Sequence, residues 1–374
     1  MKPHRRRITI PIEGLSEPTI DWCRSGYHVD LSGRKVFVYE RGTGPVVLLV
    51  HGFPTSCYDW RGVIDCLSLN GRRVAFDFLG FGLSDKPEDY SYSLFQQADM
   101  IESLLGELNI KAAHVVSHDM GTSVHCELLA RQNAGRLGFE IKSSSLLNGS
   151  MLQWMANITP LQQMLSANQQ LDEAIEICRG DLASIYIPAL RAIMQKPEAL
   201  SDEDAVVMNE LMAYQNGQQR IPAIAGYMRE RYVHRDRWLG GLEKTAAPLQ
   251  FIWADGDPIA NAAMGRQLNQ RYPQARFTEL HGVGHFLLME DPVAVSREIQ
   301  ALIAPGSAKE TCDSPNHESY PAPEADQPAD ADSALETPSD ETADGIADQP
   351  ASTKRSPDAG SRDVAARASL PDRD

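Results

Sequence analysis

Residues 46–50 read Val46-Val47-Leu48-Leu49-Val50, an unbroken apolar run of strand length that ends at His51-Gly52-Phe53-Pro54. A strand with no polar alternation has to be covered on both faces, which a parallel sheet between two helical layers achieves. Comparable short runs follow at Val74-Ala75-Phe76, His114-Val115-Val116, Ser144-Ser145-Leu146-Leu147 and Leu249-Gln250-Phe251-Ile252-Trp253. Tyr27 to Glu40 alternates as two short strands broken at Ser32-Gly33, and Arg276 to Leu280 reads as a further strand. Between them lie helical patterns. One starts at Ser93, spaced from Gln96 as in a capping box, and places Leu94, Ala98, Ile101, Leu105 and Leu108 on one face. Another follows Gly121, and a last one begins at Pro292. This alternation predicts an α/β fold with a mainly parallel sheet flanked by helices.

The alternation stops after Asn148-Gly149. Residues 150–236 carry helix signals only, including a capped start at Ser201-Asp202-Glu203-Asp204 leading into Val206, Val207, Leu211 and Met212. An all-helical insertion at that point is expected to form a cap over the carboxyl ends of the strands, where ligands of such sheets bind. The expected organisation is an N-terminal extension (1–26), a core (27–149 and 237–304), a helical cap (150–236) and a disordered acidic tail (305–374). The tail holds 16 acidic and 6 basic residues, nine of the 23 prolines and a single aromatic residue, Tyr320, so it lacks the apolar surface that offsets chain entropy.

The formal net charge of −16 argues against a nucleic-acid partner, and no apolar stretch has the length of a membrane span. The expected partner is a small-molecule substrate; oligomeric state is not legible. The basic N-terminus lacks a signal-peptide core, so a cytoplasmic location is expected. The six cysteines (Cys23, Cys57, Cys66, Cys126, Cys178, Cys312) show no metal-ligand spacing and are expected to be reduced, mostly buried thiols. No metal is implied.

Three motifs carry chemistry. Ser117-His118-Asp119-Met120-Gly121 places small residues two before and two after a central aspartate, between a buried strand and a helix. That is the context of a nucleophile elbow, a turn too tight for larger flanking side chains. The competing reading is an ordinary turn or helix N-cap aspartate. In His51-Gly52-Phe53-Pro54, directly after the first buried strand, the Phe53 N–H can converge with the Met120 N–H as an oxyanion hole; the plain alternative is a Gly/Pro turn. Asp257, in Asp255-Gly256-Asp257-Pro258, precedes His285, in His281-Gly282-Val283-Gly284-His285-Phe286, by 28 residues. The order nucleophile, acid, histidine marks Asp119, Asp257 and His285 as a triad, with Asp255 the alternative acid and His118 and His281 outside it.

Together, HGFPTSCYDW (51–60), DFLGFGLSDKP (77–87), SHDMG (117–121), DGDPI (255–259) and GVGHF (282–286) resemble the α/β-hydrolase superfamily. Within it, they resemble the epoxide hydrolase and haloalkane dehalogenase group with an aspartate nucleophile. The branch most similar in these motifs is that of mesoderm-specific transcript protein. The resemblance spans roughly residues 27–304, is weak across the cap and leaves the tail without a counterpart. It implies that Asp119 attacks an sp3 carbon to form an alkyl ester, and that water activated by His285 and Asp257 hydrolyses it while Phe53 and Met120 hold the oxyanion. No cofactor is implied. A serine attacking such a carbon would leave a stable ether, so aspartate favours epoxide or halide substrates over ordinary esters. Haloalkane dehalogenases of this type carry tryptophan after the nucleophile, whereas this chain has Met120, which offers no N–H donor to a halide. Epoxide hydrolases protonate the epoxide oxygen with two cap tyrosines. Tyr227, in Ala225-Gly226-Tyr227-Met228-Arg229, resembles one, and Tyr186 or Tyr214 is the candidate for the other. The expected activity is therefore epoxide hydrolysis. The alternatives are dehalogenation of a haloalkane or haloacid, and ligand binding on a hydrolase fold without turnover.

Overall fold

A computed structural model describes residues 10–305, apart from 69–70, 167–169 and 181. Most of the expected acidic tail and Cys312 therefore lie outside the described residues, as does the beginning of the N-terminal extension.

Eight strands form one sheet: β1 (Tyr27–Leu31), β2 (Arg34–Arg41), β3 (Val46–Val50), β4 (Arg72–Phe76), β5 (Ala112–His118), β6 (Glu140–Leu147), β7 (Leu249–Ala254) and β8 (Arg276–Leu280). Their spatial order is β1-β2-β4-β3-β5-β6-β7-β8. Only the β1–β2 and β2–β4 pairings are antiparallel; from β4 to β8 every pairing is parallel. All five residues of β3 and all six of β7 are buried, the double coverage their composition demands.

Among the described residues, helices α1 (Glu17–Ser25), α2 (Arg61–Cys66), α3 (Leu94–Glu107) and α4 (Met120–Asn133) precede the long break between β6 and β7. Ser93 caps α3 by accepting the Gln96 N–H at 3.2 Å. Gln96 turns instead to Ser91, accepting from its N–H at 3.1 Å, so only half of the expected box forms. α1 belongs to no element expected from sequence. It buries Trp22 against Phe37, Tyr39 and Tyr58, and Ser16 at its N-cap donates its backbone N–H and hydroxyl to Glu210.

Between β6 and β7 the helices are α5 (Pro160–Ser166), α6 (Leu171–Arg179), α7 (Ala183–Arg191), α8 (Asp202–Ala213), α9 (Ile221–Ile224), α10 (Tyr227–Val233) and α11 (Arg235–Lys244). Ser201 caps α8 through the Asp204 N–H. Val207, Leu211 and Met208 of α8 are buried, whereas Val206 is 44% exposed. The boundary expected at 236–237 falls inside α11, whose Gly241 lies where a β-carbon would be 2.8 Å from the Cys126 carbonyl oxygen of α4. The chain closes with α12 (Ala262–Arg271), α13 (Leu287–Glu290) and α14 (Pro292–Ile303). No helix among the described residues is long and apolar enough to cross a membrane.

Cys23, Cys57, Cys126 and Cys178 are free and buried, as expected. Cys66 is a correction: it is disulfide-bonded, a state that its isolated position in the sequence did not signal.

Candidate active site

The turn from β5 into α4 holds Asp119 at φ 44° and ψ −116°, a conformation that costs an aspartate energy and persists only where the surroundings impose it. They do so here. The Asp119 N–H donates to the Leu147 carbonyl at 3.2 Å, and the Asp119 carbonyl accepts from the Thr122 hydroxyl at 2.6 Å. A β-carbon on Gly121 would lie 2.5 Å from the His51 carbonyl oxygen, so the chain leaving β5 can make this turn only with glycine there. Ser117, the small residue on the other side, donates or accepts at His125 Nδ1 at 2.9 Å, and His125 Nε2 reaches Ser144 on β6 at 2.9 Å.

The loop after β3 meets this turn. Phe53 N–H donates to Asp119 Oδ2 at 2.9 Å. Gly52 is obligatory for that approach, since its β-carbon would stand 2.7 Å from the Asp119 β-carbon. His51 sets the loop: its Nε2 accepts the Phe78 N–H at 3.0 Å, and its Nδ1 donates to the Gly52 carbonyl at 2.8 Å. Burial pulls the His51 pKa down, so it serves as a neutral brace. The Phe53–Pro54 peptide is cis. Met120 is buried at the first position of α4.

His285 Nδ1 donates to Asp257 Oδ2 at 2.9 Å, which leaves Nε2 for another partner. Asp257 Oδ1 in turn accepts the N–H groups of Ile259 at 2.7 Å and Ala260 at 3.1 Å, so this carboxylate is held on both oxygens. Asp255 is engaged elsewhere, with His281 Nδ1 at 2.9 Å on the exposed surface. His118 Nε2 donates to the His285 carbonyl at 2.9 Å.

The charges follow from burial and neighbours. Burial pushes the Asp119 carboxyl up, but Arg231, then His285 and His118, and the Phe53 N–H outweigh it and leave it below the usual range. Burial pulls His285 down while Asp257 pulls it up, and the net is a raised value. His118 is pushed down to about 4 by burial and the neighbouring His285. Asp59, which accepts from Thr55 Oγ1, is pushed up to about 7 by burial.

Asp119, His285, Phe53 and Pro54 line a cavity of about 340 Å³. Much of the remaining wall comes from the helices between β6 and β7, with Leu161, Met164, Ile177, Leu190 and Met212 facing in. Gln162, Thr159 and Tyr186 are its polar members besides Asp119 and His285, and none of its described lining residues is Lys, Arg or Glu. The three tyrosines named from sequence diverge. Tyr186 lines the cavity. Tyr227 does not; its hydroxyl accepts from Gln162 Nε2 at 3.0 Å and its ring faces Phe53. Tyr214 is also absent from the wall, with its ring 5.1 Å from Lys86 Nζ.

Two residues of the site escaped the sequence reading. Arg231 Nη2 lies 3.6 Å from Asp119 Oδ1, and Asn148 ties the His285 loop to the sheet. The one legible signal for Arg231 was its spacing of four from Tyr227 on a helix, which puts both on one face. Asn148 left no signal beyond its place at the end of a strand. Among the described residues no group of His, Cys, Asp or Glu is arranged to hold a metal ion.

Residues 47–298 match the Alpha/beta hydrolase family. LipZ of Mycobacterium tuberculosis (strain H37Rv) is 36% identical over 293 residues, 77% of this chain and 99% of that protein. Mesoderm-specific transcript protein of Mus musculus is 33% identical over 303 residues, 76% of this chain and 88% of that protein. Among solved structures, the epoxide hydrolase VrEH1 from Vigna radiata superposes with a TM-score of 0.58 at 23% identity, covering 74% of this chain and 97% of that one, a likeness of fold.

Proposed function

This chain belongs to the α/β hydrolase family and is a hydrolase of that type, and we propose that it opens epoxides through an alkyl ester on Asp119. The observation that carries this reading is an aspartate, not a serine, at the strained turn, with Oδ2 on the Phe53 N–H and with His285 oriented by Asp257.

In the proposed sequence Asp119 Oδ1, the oxygen not held by Phe53, attacks a ring carbon. The epoxide C–O bond breaks, and its oxygen takes the proton of Tyr186, the tyrosine in the cavity wall. Burial keeps that phenol protonated until it is needed. His285 Nε2 then takes a proton from water as the water attacks the ester carbonyl, whose oxyanion faces the Phe53 and Met120 N–H groups. Collapse expels the diol alkoxide, which takes the proton from His285. The second proton of the water, left on the Asp119 carboxyl, returns to the Tyr186 phenolate, so that carboxylate and phenol are both restored. The helices between β6 and β7 act as the cap that keeps bulk water from the ester. The apolar wall favours a small, uncharged organic substrate. Met120 in place of tryptophan weighs against halide as the leaving group.

The test is mass spectrometry of His285→Gln incubated with epoxides and, separately, haloalkanes. An adduct on the Asp119 peptide with the full mass of an epoxide supports the reading. An alkyl adduct lacking its halogen transfers the assignment to dehalogenation. Absence of any adduct removes both and leaves ligand binding without turnover of either class.

A further inference from the structure

Arg231, on α10, is only 6% exposed. Its Nε donates to Ser123 Oγ at 2.8 Å, its guanidinium carbon stands 4.7 Å from the centre of the Tyr227 ring, and its Nη2 lies 3.6 Å from Asp119 Oδ1. Nη2 makes no hydrogen bond among the described residues, and Arg231 does not line the cavity.

A buried guanidinium needs a counter-charge. The other acids nearby are committed: Asp257 to His285, and Glu127 of α4 to Arg131, Arg237 and Trp238. His285 and His118, the titratable groups that also face Asp119, are neutral or cationic, and Tyr227 is neutral. Asp119 is the one anion left. Resting on the reading of Asp119 as the attacking carboxylate, we infer that Arg231 is a positioning residue: it is the counter-charge of that carboxylate, is stranded when the carboxylate is esterified, and so drives the ester towards hydrolysis.

The charge balance is explicit. In ester formation the electron pair of Oδ1 passes into the new C–O bond, and the pair of the broken epoxide bond passes to an oxygen that is protonated by Tyr186. The negative charge leaves the side chain and Arg231 faces a neutral ester. Water then adds to the ester carbonyl, and one of its protons goes through His285 to the departing alkoxide. The other passes from the Asp119 carboxyl to the Tyr186 phenolate, which returns a carboxylate to Arg231.

The experiment is single turnover of racemic styrene oxide, quenched for peptide mass spectrometry, with wild type, Arg231→Met and Arg231→Lys. At pH 8 the Asp119 ester of R231M is expected to persist at least about tenfold longer than that of wild type, while forming within about threefold of the wild-type rate. Between pH 8 and pH 5 its formation should fall about tenfold in R231M alone, because a buried carboxylate without its guanidinium takes up a proton. R231K, which keeps the charge without the fork, should lie between the two and serves where R231M does not fold. A role confined to packing would slow both steps alike at every pH, and that result overturns the inference.

A substrate-free measurement separates this inference from the function proposed above. On acidification, infrared difference spectra of R231M (or R231K) should show a protonated-carboxyl band that is absent from wild type and from the same variant carrying Asp119→Asn. If styrene oxide gives no ester even with His285→Gln, the attacking role of Asp119 on this epoxide falls, and this band still decides whether Arg231 holds its charge. Absence of the band overturns the inference.

Discussion

Asn148 Nδ2 donates to the backbone carbonyl of His285 at 3.0 Å, across 137 residues of sequence. The same amide group reaches the Gly284 carbonyl at 3.1 Å, and its Oδ1 accepts the Ala254 N–H at 3.0 Å. One side chain at the end of β6, in the left-handed region at φ 42°, thus joins the end of β7 to the loop that carries the candidate base.

Asn148→Ala should therefore act on stability and on turnover together. It leaves three buried backbone groups without this partner, and a loss of about 2–4 kcal/mol is expected from chemical denaturation. Turnover should fall at least about tenfold because the imidazole is no longer fixed against Asp257. Unchanged turnover in the folded variant would show that the clamp is structural only.

Gly52→Ala and Gly121→Ala probe the same turn from two sides. The new methyl of G121A meets the His51 carbonyl at 2.5 Å, a backbone atom that cannot swing away, so a loss of about 2–4 kcal/mol is expected. The methyl of G52A meets the Asp119 side chain instead, at 2.7 Å from its β-carbon. It should abolish ester formation on Asp119 at a smaller cost, about 1–3 kcal/mol, read from the denaturation midpoint and the peptide mass spectrum.

Asp59 gives a pH dependence of known sign. Its folded-state pKa of about 7 lies above the ordinary carboxylate value, so the unfolded chain ionises first. Its stabilising contribution is complete below about pH 4 and is lost as pH rises towards 7, by up to about 4 kcal/mol. Asp59→Asn should match wild type in the acid range and exceed it at pH 8 in thermal unfolding. Parallel curves for the two proteins would contradict the assignment.

The buried histidines act in the opposite direction. His125 is pushed down to about 3 by burial between Ser117 and Ser144, so the unfolded chain takes up its proton near pH 6.5 while the folded one does not. Its contribution is present above that pH and is lost on acidification, by about 2 kcal/mol between pH 6.5 and pH 5. His125→Gln should remove that part of the slope when unfolding is followed across the same interval.

Much of the architecture was legible because it rests on local pattern. The uninterrupted run at 46–50 required double coverage, and β3 has it. Ser201 and Ser93 announced helix starts that α8 and α3 make. The sequence order of Asp119, Asp257 and His285 anticipated their convergence, because parallel strands deliver successive loops to one edge of the sheet. Features that depend on what meets across the fold left little trace. Val206 and Val207 stand side by side in one apolar run, yet only Val207 is buried, since α8 turns that side inward. Trp22 gives no sign that its helix will close over β2, and nothing around Cys66 distinguishes it from the free thiols.

By itself, the sequence determined the α/β layering, a turn with small residues on both sides of position 119, and an aspartate where a serine would give different chemistry. These follow from residue type, period and spacing, which act over a few residues. Tertiary structure alone decided that Tyr186 and not Tyr227 faces the cavity, that Asn148 holds His285, and that Arg231 stands beside Asp119. Each of those depends on the direction of a side chain across a gap of many tens of residues. That direction is set by how the helices between β6 and β7 pack on the sheet, which no local pattern encodes.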